Sequence, residues 1–190
     1  PNFENDGFQF SSISTSRAFF ASMNMTSHVI QDPAVRKAIA MGINKEGFVA
    51  TLLEGHGVPG NGAFPDGFIN FGGENVKTET YDPKEAEKIL EEAGWKDSDG
   101  DGIREKDGKK LTIRWLTYPS RQELPLLAES VQASLKEIGI EVDINCTANR
   151  REFLADMNSW DIYASALVTA PSGDPQYFCH YFTLKFSNVF

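Results

Sequence analysis

The chain has 190 residues, of which 41% are apolar, enough to bury a core without disulfide or metal staples. Its 27 acidic residues outnumber 18 basic ones for a net charge of −9, and no Lys/Arg block occurs, which argues against nucleic acid or an anionic membrane surface as partner. Cys146 and Cys179 stand far apart without CxxC or Cys/His spacing, so no redox or zinc motif is indicated and both read as small buried hydrophobes.

Residues 7–24 read as two strands, GFQFSSIS and RAFFASMN, with Phe8 and Phe10, then Phe19, Ala21 and Met23, in period-two positions. Their order relative to the main sheet is not legible. In QDPAVRKAIAMGINKEGFVATLLEG, Asp32 is an N-cap and Pro33 suits the first helical position, followed by an apolar face of Val35, Ile39 and Met41. Gly42 and Asn44 break that helix, and Asn44 caps a second one, KEGFVATLLE, which Gly55 terminates. Gly55 to Gly73 is rich in Gly and Pro with Phe64, Phe68 and Phe71 interleaved, which predicts an ordered loop packed by its aromatics. YDPKEAEKILEEAGW repeats the Asp-Pro start at Asp82-Pro83, sets Ala86, Ile89, Leu90 and Ala93 on one face, and closes on Gly94.

The acidic segment DSDGDG places Asp97, Asp99 and Asp101 at calcium-loop positions one, three and five, but Gly108 stands where the bidentate Glu belongs. A solvated hairpin tip explains it better. From Leu111 to Cys146 the pattern changes twice. Leu111, Ile113, Trp115 and Leu116 lead to a Pro-Ser break; Leu124, Leu127, Ala128, Val131, Leu135 and Ile138 recur at helical spacing; after Gly139, Ile140, Val142 and Ile144 alternate. This is a βαβ unit at residues 111–146, so its strands are parallel and the fold is α/β. A helix near Arg150 to Asn158, a strand from Asp161 to Val168 and the loop TAPSGDPQYF follow. Ligands of open parallel sheets sit beyond the carboxyl ends of the strands, which directs attention to Thr117–Arg121 and to that last loop.

Chemistry-bearing motifs are sparse. There is no nucleophile elbow, phosphate loop or HExxH, and Glu123, Glu129, Glu137 and Glu141 read as surface charges, so no enzyme is expected. His28, His56 and His180 each lack a second ligand at i+2 to i+4, so no metal site or cofactor is expected either. Trp95, Trp115, Trp160, Tyr177 and Phe178 read chiefly as core or loop anchors, whereas Tyr118 is read as exposed at a strand's carboxyl end. No apolar run reaches membrane-spanning length, and no charged n-region with an apolar h-region opens the chain, so a signal peptide is either absent or removed. Pro1 at the start and the aromatic YFTLKFSNVF at the end suggest a piece of a longer protein, with one compact α/β unit over 1–190 as the default.

In order, DPAVRKAIAMGINKEGFVATLLEGHGVPG, YDPKEAEKILEEAGW, DSDGDGIREKDGKKLTIRW, ESVQASLKEIGIEVDI and the DPQYF loop resemble the C-terminal lobe of family 5 solute-binding proteins, the peptide- and nickel-binding receptors of ABC importers. The resemblance covers the chain from about Phe19 onwards. It implies one α/β lobe of a two-lobed clamshell, with a mixed sheet and flanking helices. It also implies that a small ligand is held in the interlobe cleft, that the second lobe and ABC permease subunits are partners, and that the protein works outside the cytoplasm, in a periplasm or lipid-anchored at the cell membrane.

Within the family, peptide receptors carry an amine-pairing aspartate where Pro171 stands, and the APSGDP run is closer to the nickel type. The nickel type's cleft aromatics are replaced by Val168 and by Ser172 or Gly173, and its histidine would fall near Ser187. A nickel chelate or other nonpeptide ligand is therefore expected ahead of a peptide, with a stand-alone α/β enzyme as the remote alternative. The expected contacts are Thr169, Ala170, Pro171, Ser172 and Gly173, largely through backbone, with Tyr118, Ser120 and Arg121 beside them.

Overall fold

The computed structural model describes residues 15–64 and 76–185. The expected strand at 7–14 with Phe8 and Phe10, the loop anchors Phe68 and Phe71, and Ser187 lie outside the described residues. In chain order the elements are β1 (Arg17–Met23), α1 (His28–Gln31), α2 (Pro33–Gly42), α3 (Lys45–Thr51) and α4 (Pro83–Glu92). Then come β2 (Glu105–Lys106), β3 (Lys109–Lys110), β4 (Thr112–Thr117), α5 (Glu123–Glu137) and β5 (Glu141–Cys146). The last three are α6 (Arg150–Ala155), β6 (Ile162–Val168) and α7 (Gln176–Lys185).

The helix starts form where short-range chemistry dictates. Asp32 accepts a hydrogen bond from Ala34 N at 2.9 Å and Asp82 one from Glu85 N at 3.0 Å, each with Pro in the first helical turn where no donor is lost. Asn44 caps α3 through Gly47 N at 2.7 Å. The expected helix to Glu54 stops at Thr51, because Glu54 and Gly55 both adopt positive φ, 50° and 80°, and Gly55 N folds back on Val49 O. Likewise α6 ends at Ala155 instead of Asn158: Asp156 Oδ1 accepts from Asn158 N, and the Ser159 hydroxyl donates to Phe153 O and Asp156 O, satisfying the last carbonyls.

β4, α5 and β5 form the parallel unit, registered from Thr112↔Glu141 to Thr117↔Cys146. The main sheet has order β1-β6-β4-β5, with β4 parallel to both neighbours and β1 antiparallel to β6, so it is mixed. Leu124, Ala128, Val131 and Leu135 of α5 are buried, and the helix packs on β4, β5 and β6. Helices α2 and α4 pack on each other, and α2 meets α5 closely at Gly42, where a Cβ would lie 2.7 Å from Ile138 Cδ1 and push that side chain aside. Where α5 turns into β5, Gly139 has φ 82°, and its missing Cβ makes room for Arg104, whose Nε donates to Ile138 O and Nη1 to Trp95 O. That buried arginine ties the α4 exit to the βαβ turn.

Two expectations about side chains are corrected. Cys146 and Cys179 are exposed, the first because it ends an edge strand and the second on α7. On β1, Phe19 is 37% exposed and Phe20 is packed instead, its ring 5.4 Å from that of Phe178, while Met23 at the strand's end packs against the core as its position suggested. With two adjacent phenylalanines the period-two pattern fits either face, and α7 decides.

Candidate functional site

The carboxyl ends of β4 and β5 are level, because Thr117 pairs with Cys146 and Thr147 N donates to Thr117 O. β6 is not level with them. β4 pairs with it only at Trp115↔Ile162 and Leu116↔Tyr163, yet β6 continues to Val168, so its last four residues project roughly 13 Å beyond Thr117. β1 accompanies it on the far side, Arg17 opposite Val168. The edge is thus a step, with the β1/β6 ribbon as its riser and the loops after β4 and β5 as its tread.

Among the described residues, no strand pairs with the side of β6 above the step from Ala164 onward. Thr117 Oγ1 donates to Ala164 O at 3.1 Å, and Tyr118 Oη accepts from Ala166 N at 3.2 Å, so two side chains from β4's end cover the start of that bare edge. Tyr118 is accordingly 7% exposed and does not stand free as expected, since its ring lies along the riser and the guanidinium of Arg150 covers it, 4.2 Å from the ring centre. Ser120 and Arg121 are exposed on the tread.

In the loop after β6, Thr169 and Ala170 are buried: Thr169 N and Oγ1 both donate to Ser16 O, and Ser16 Oγ donates to Ala170 O at 3.4 Å. They moor the loop to the residues before β1. Gly173 N closes a turn on Ala170 O, which presents Pro171 and Ser172 to solvent with Gly173 half-buried. Asp174 Oδ1 accepts from Gln176 N at 2.8 Å and so starts α7. The expected residues therefore divide into an exposed set, Pro171, Ser172, Ser120 and Arg121, and a buried supporting set, Thr169, Ala170 and Tyr118. Arg150 escaped the sequence reading. Applying the strand-end rule to β5 as well as to β4 and β6 would have flagged residues 147–151.

Two other polar clusters are hydrogen-bonded within the fold. Asp161, its side chain 2% exposed, accepts from Arg114 Nη2 at 2.6 Å, Nε at 2.9 Å and backbone N at 2.7 Å. Burial alone would raise its carboxyl, but the Arg114 hydrogen bonds outweigh it and hold the group below the usual carboxylate range. In DSDGDG, Asp97 accepts from Gly100 N and Gly102 N, Asp99 from Asp101 N, Asp101 from Ile103 N, and Lys110 pairs with Asp99 and Asp101. Those carboxylates build the turn. Hollows of about 450 Å³ beside Glu91 and Arg104, and of about 400 Å³ beside His28 and Arg114, lie away from the carboxyl edge.

A family model described as bacterial extracellular solute-binding proteins, family 5 Middle, matches residues 1–188. The oligopeptide-binding protein AppA of Bacillus subtilis is 34% identical over 126 residues, 63% of this chain and 22% of that protein. The nickel-binding protein NikA of Staphylococcus aureus is 27% identical over 172 residues, 87% of this chain and 32% of that one. Among solved structures, a nickel ABC transporter protein from Bacillus halodurans superimposes with TM-score 0.75 at 30% identity, covering 88% of this chain and 34% of that one. The chain thus spans between about a fifth and a third of the length of these proteins.

Proposed function

Because the chain belongs to the bacterial extracellular solute-binding proteins of family 5, we propose that it is one lobe of a two-lobed receptor that captures a small solute outside the cytoplasm for an ABC importer. The observation carrying this reading is the open step at the carboxyl edge, where β6 outruns β4. A step offers a ligand one wall and a floor, and a second lobe supplies the opposing wall. A solute touching both lobes stabilises the closed form by its differential contacts, and the closed form docks on the permease. Binding without chemical change suffices for this, so the receptor is not an enzyme.

For the solute, a nickel chelate or other nonpeptide is placed first. A peptide's amino terminus calls for a desolvated carboxylate, a pairing of roughly 2–5 kcal/mol. Pro171 provides none, and Asp174, the one carboxylate of that loop, already has an oxygen committed to Gln176 N. Relatives of both kinds, the oligopeptide-binding AppA and the nickel-binding NikA, are compatible with either solute, so the preference rests on Pro171 and Asp174. One observation favours an oligopeptide as the second reading: the side of β6 from Ala166 to Val168, strandless among the described residues, suits an extended backbone adding to a sheet edge. Native mass spectrometry of the full-length receptor, purified without added ligand, separates them. A co-purified metal chelate is expected; a heterogeneous set of peptides would install the second reading, and a receptor that neither carries nor takes up either class would end the proposal.

A further inference from the structure

The seven arginines, 17, 36, 104, 114, 121, 150 and 151, fall into two groups. Three are engaged by the fold: Arg36 donates to Ile30 O and Gln31 O, Arg104 to Ile138 O and Trp95 O, and Arg114 to Asp161. The other four gather at the carboxyl edge. Arg17 opens β1 opposite Val168, Arg121 follows β4, and Arg150 and Arg151 open α6 after β5. Among the described residues none of these four makes an ion pair, in a chain with 27 acidic side chains available.

Arg150 differs from its three neighbours because it is held. Its guanidinium lies 4.2 Å from the centre of the Tyr118 ring, and Tyr118 is itself fixed by Ala166 N–H and 7% exposed. Stacking covers a face of the guanidinium and leaves its in-plane N–H donors for a planar two-oxygen acceptor, while part of the ordering cost of a long side chain is met before binding. We propose that Arg150, stacked on Tyr118, receives a carboxylate of the solute, so that this receptor selects carboxylate-bearing ligands. The proposal rests on the receptor reading and adds to it the ligand's charge and the residue that reads it. A polycarboxylate metal chelate and the carboxyl terminus of a peptide present the same group.

The test uses the full-length receptor and two matched pairs of probes in titration calorimetry: Ni(II)–EDTA against Ni(II)–triethylenetetramine, and trialanine against trialanine amide. Wild type should bind the carboxylate member of one pair more tightly, and the pair that responds identifies the source. Arg150→Gln should weaken that member about 10- to 100-fold and the carboxylate-free member less than about threefold, with Arg150→Lys between wild type and Gln. Thermal melting of each variant within a few degrees of wild type excludes a folding effect. Equal weakening of both members, an unchanged carboxylate affinity, or a wild-type preference for the carboxylate-free member would overturn the proposal while leaving the receptor reading standing. A wild type that binds none of the four probes overturns the proposal; the receptor reading falls only if native mass spectrometry also finds no solute carried or taken up.

Discussion

At the scale of single residues, a few carboxylates are each held by several hydrogen bonds. Asp161 is the clearest, buried and held by three bonds from Arg114. Asp161→Asn should cost about 2–3 kcal/mol in urea denaturation at neutral pH, at or below the usual range for breaking a buried pair because the Arg114 side chain is 40% exposed and regains water. The pH dependence follows from the sign of the shift. Its folded carboxyl lies below the unfolded value, so its contribution is fully present above about pH 4 and is lost as pH falls through the lower folded value. The difference between wild type and Asp161→Asn should be flat from neutrality to mildly acidic pH and shrink only below that. Asp32 works similarly at a helix start: burial raises its carboxyl, but bonds from Trp95, Ala34 and Lys106 lower it further. Asp32→Ala should remove a cap and the Trp95 tie together, about 1–2 kcal/mol in the same assay.

At the scale of elements, the tightest joint is the turn from α5 to β5. Gly139 combines φ 82° with a Cβ position 2.7 Å from Arg104 Cγ, so Gly139→Ala meets backbone strain and displaces the arginine that bonds Ile138 O and Trp95 O. A loss of about 2–4 kcal/mol is expected, read by urea denaturation; a loss below about 1 kcal/mol would show that the joint relaxes freely. This turn was legible in the sequence because a switch from helical to alternating periodicity at a glycine is local information, as were the Asp-Pro caps at Asp32 and Asp82. What was not legible is what two distant segments decide together. β1 is placed by pairing with β6, more than a hundred residues later, and neither strand's own pattern names the other. The candidate site suffered in the same way: the stagger between β4 and β6, set by tertiary pairing, turned Tyr118 from an exposed contact into a buried prop, and Arg150 gained its place only by lying on that prop.

At the scale of the whole molecule, folding and ligand capture separate. Residues from α1, α2, α4, β4, α5, β5 and β6 share one buried cluster, Ile30, Ile39, Leu90, Trp115, Leu124, Val142 and Ile162 among them at 4% exposure or less. A chain that closes its own core in this way should fold as an isolated 190-residue domain and unfold in a single cooperative step. Capture has a different requirement. In the proposed receptor the step at the carboxyl edge is one wall of the binding site, and the affinity includes the interactions that the opposing lobe makes with the solute on closing. Without the second lobe those interactions and the closing equilibrium are both missing, and the solute keeps its exposed side in water. The isolated chain should therefore bind the receptor's solute at least about 100-fold more weakly than the full-length protein, a difference of about 3 kcal/mol, although its circular dichroism and cooperative melt mark it as folded. Calorimetry on the two proteins with one solute measures the ratio. Equal affinities would place the whole binding site within these 190 residues and remove the interlobe cleft from the mechanism.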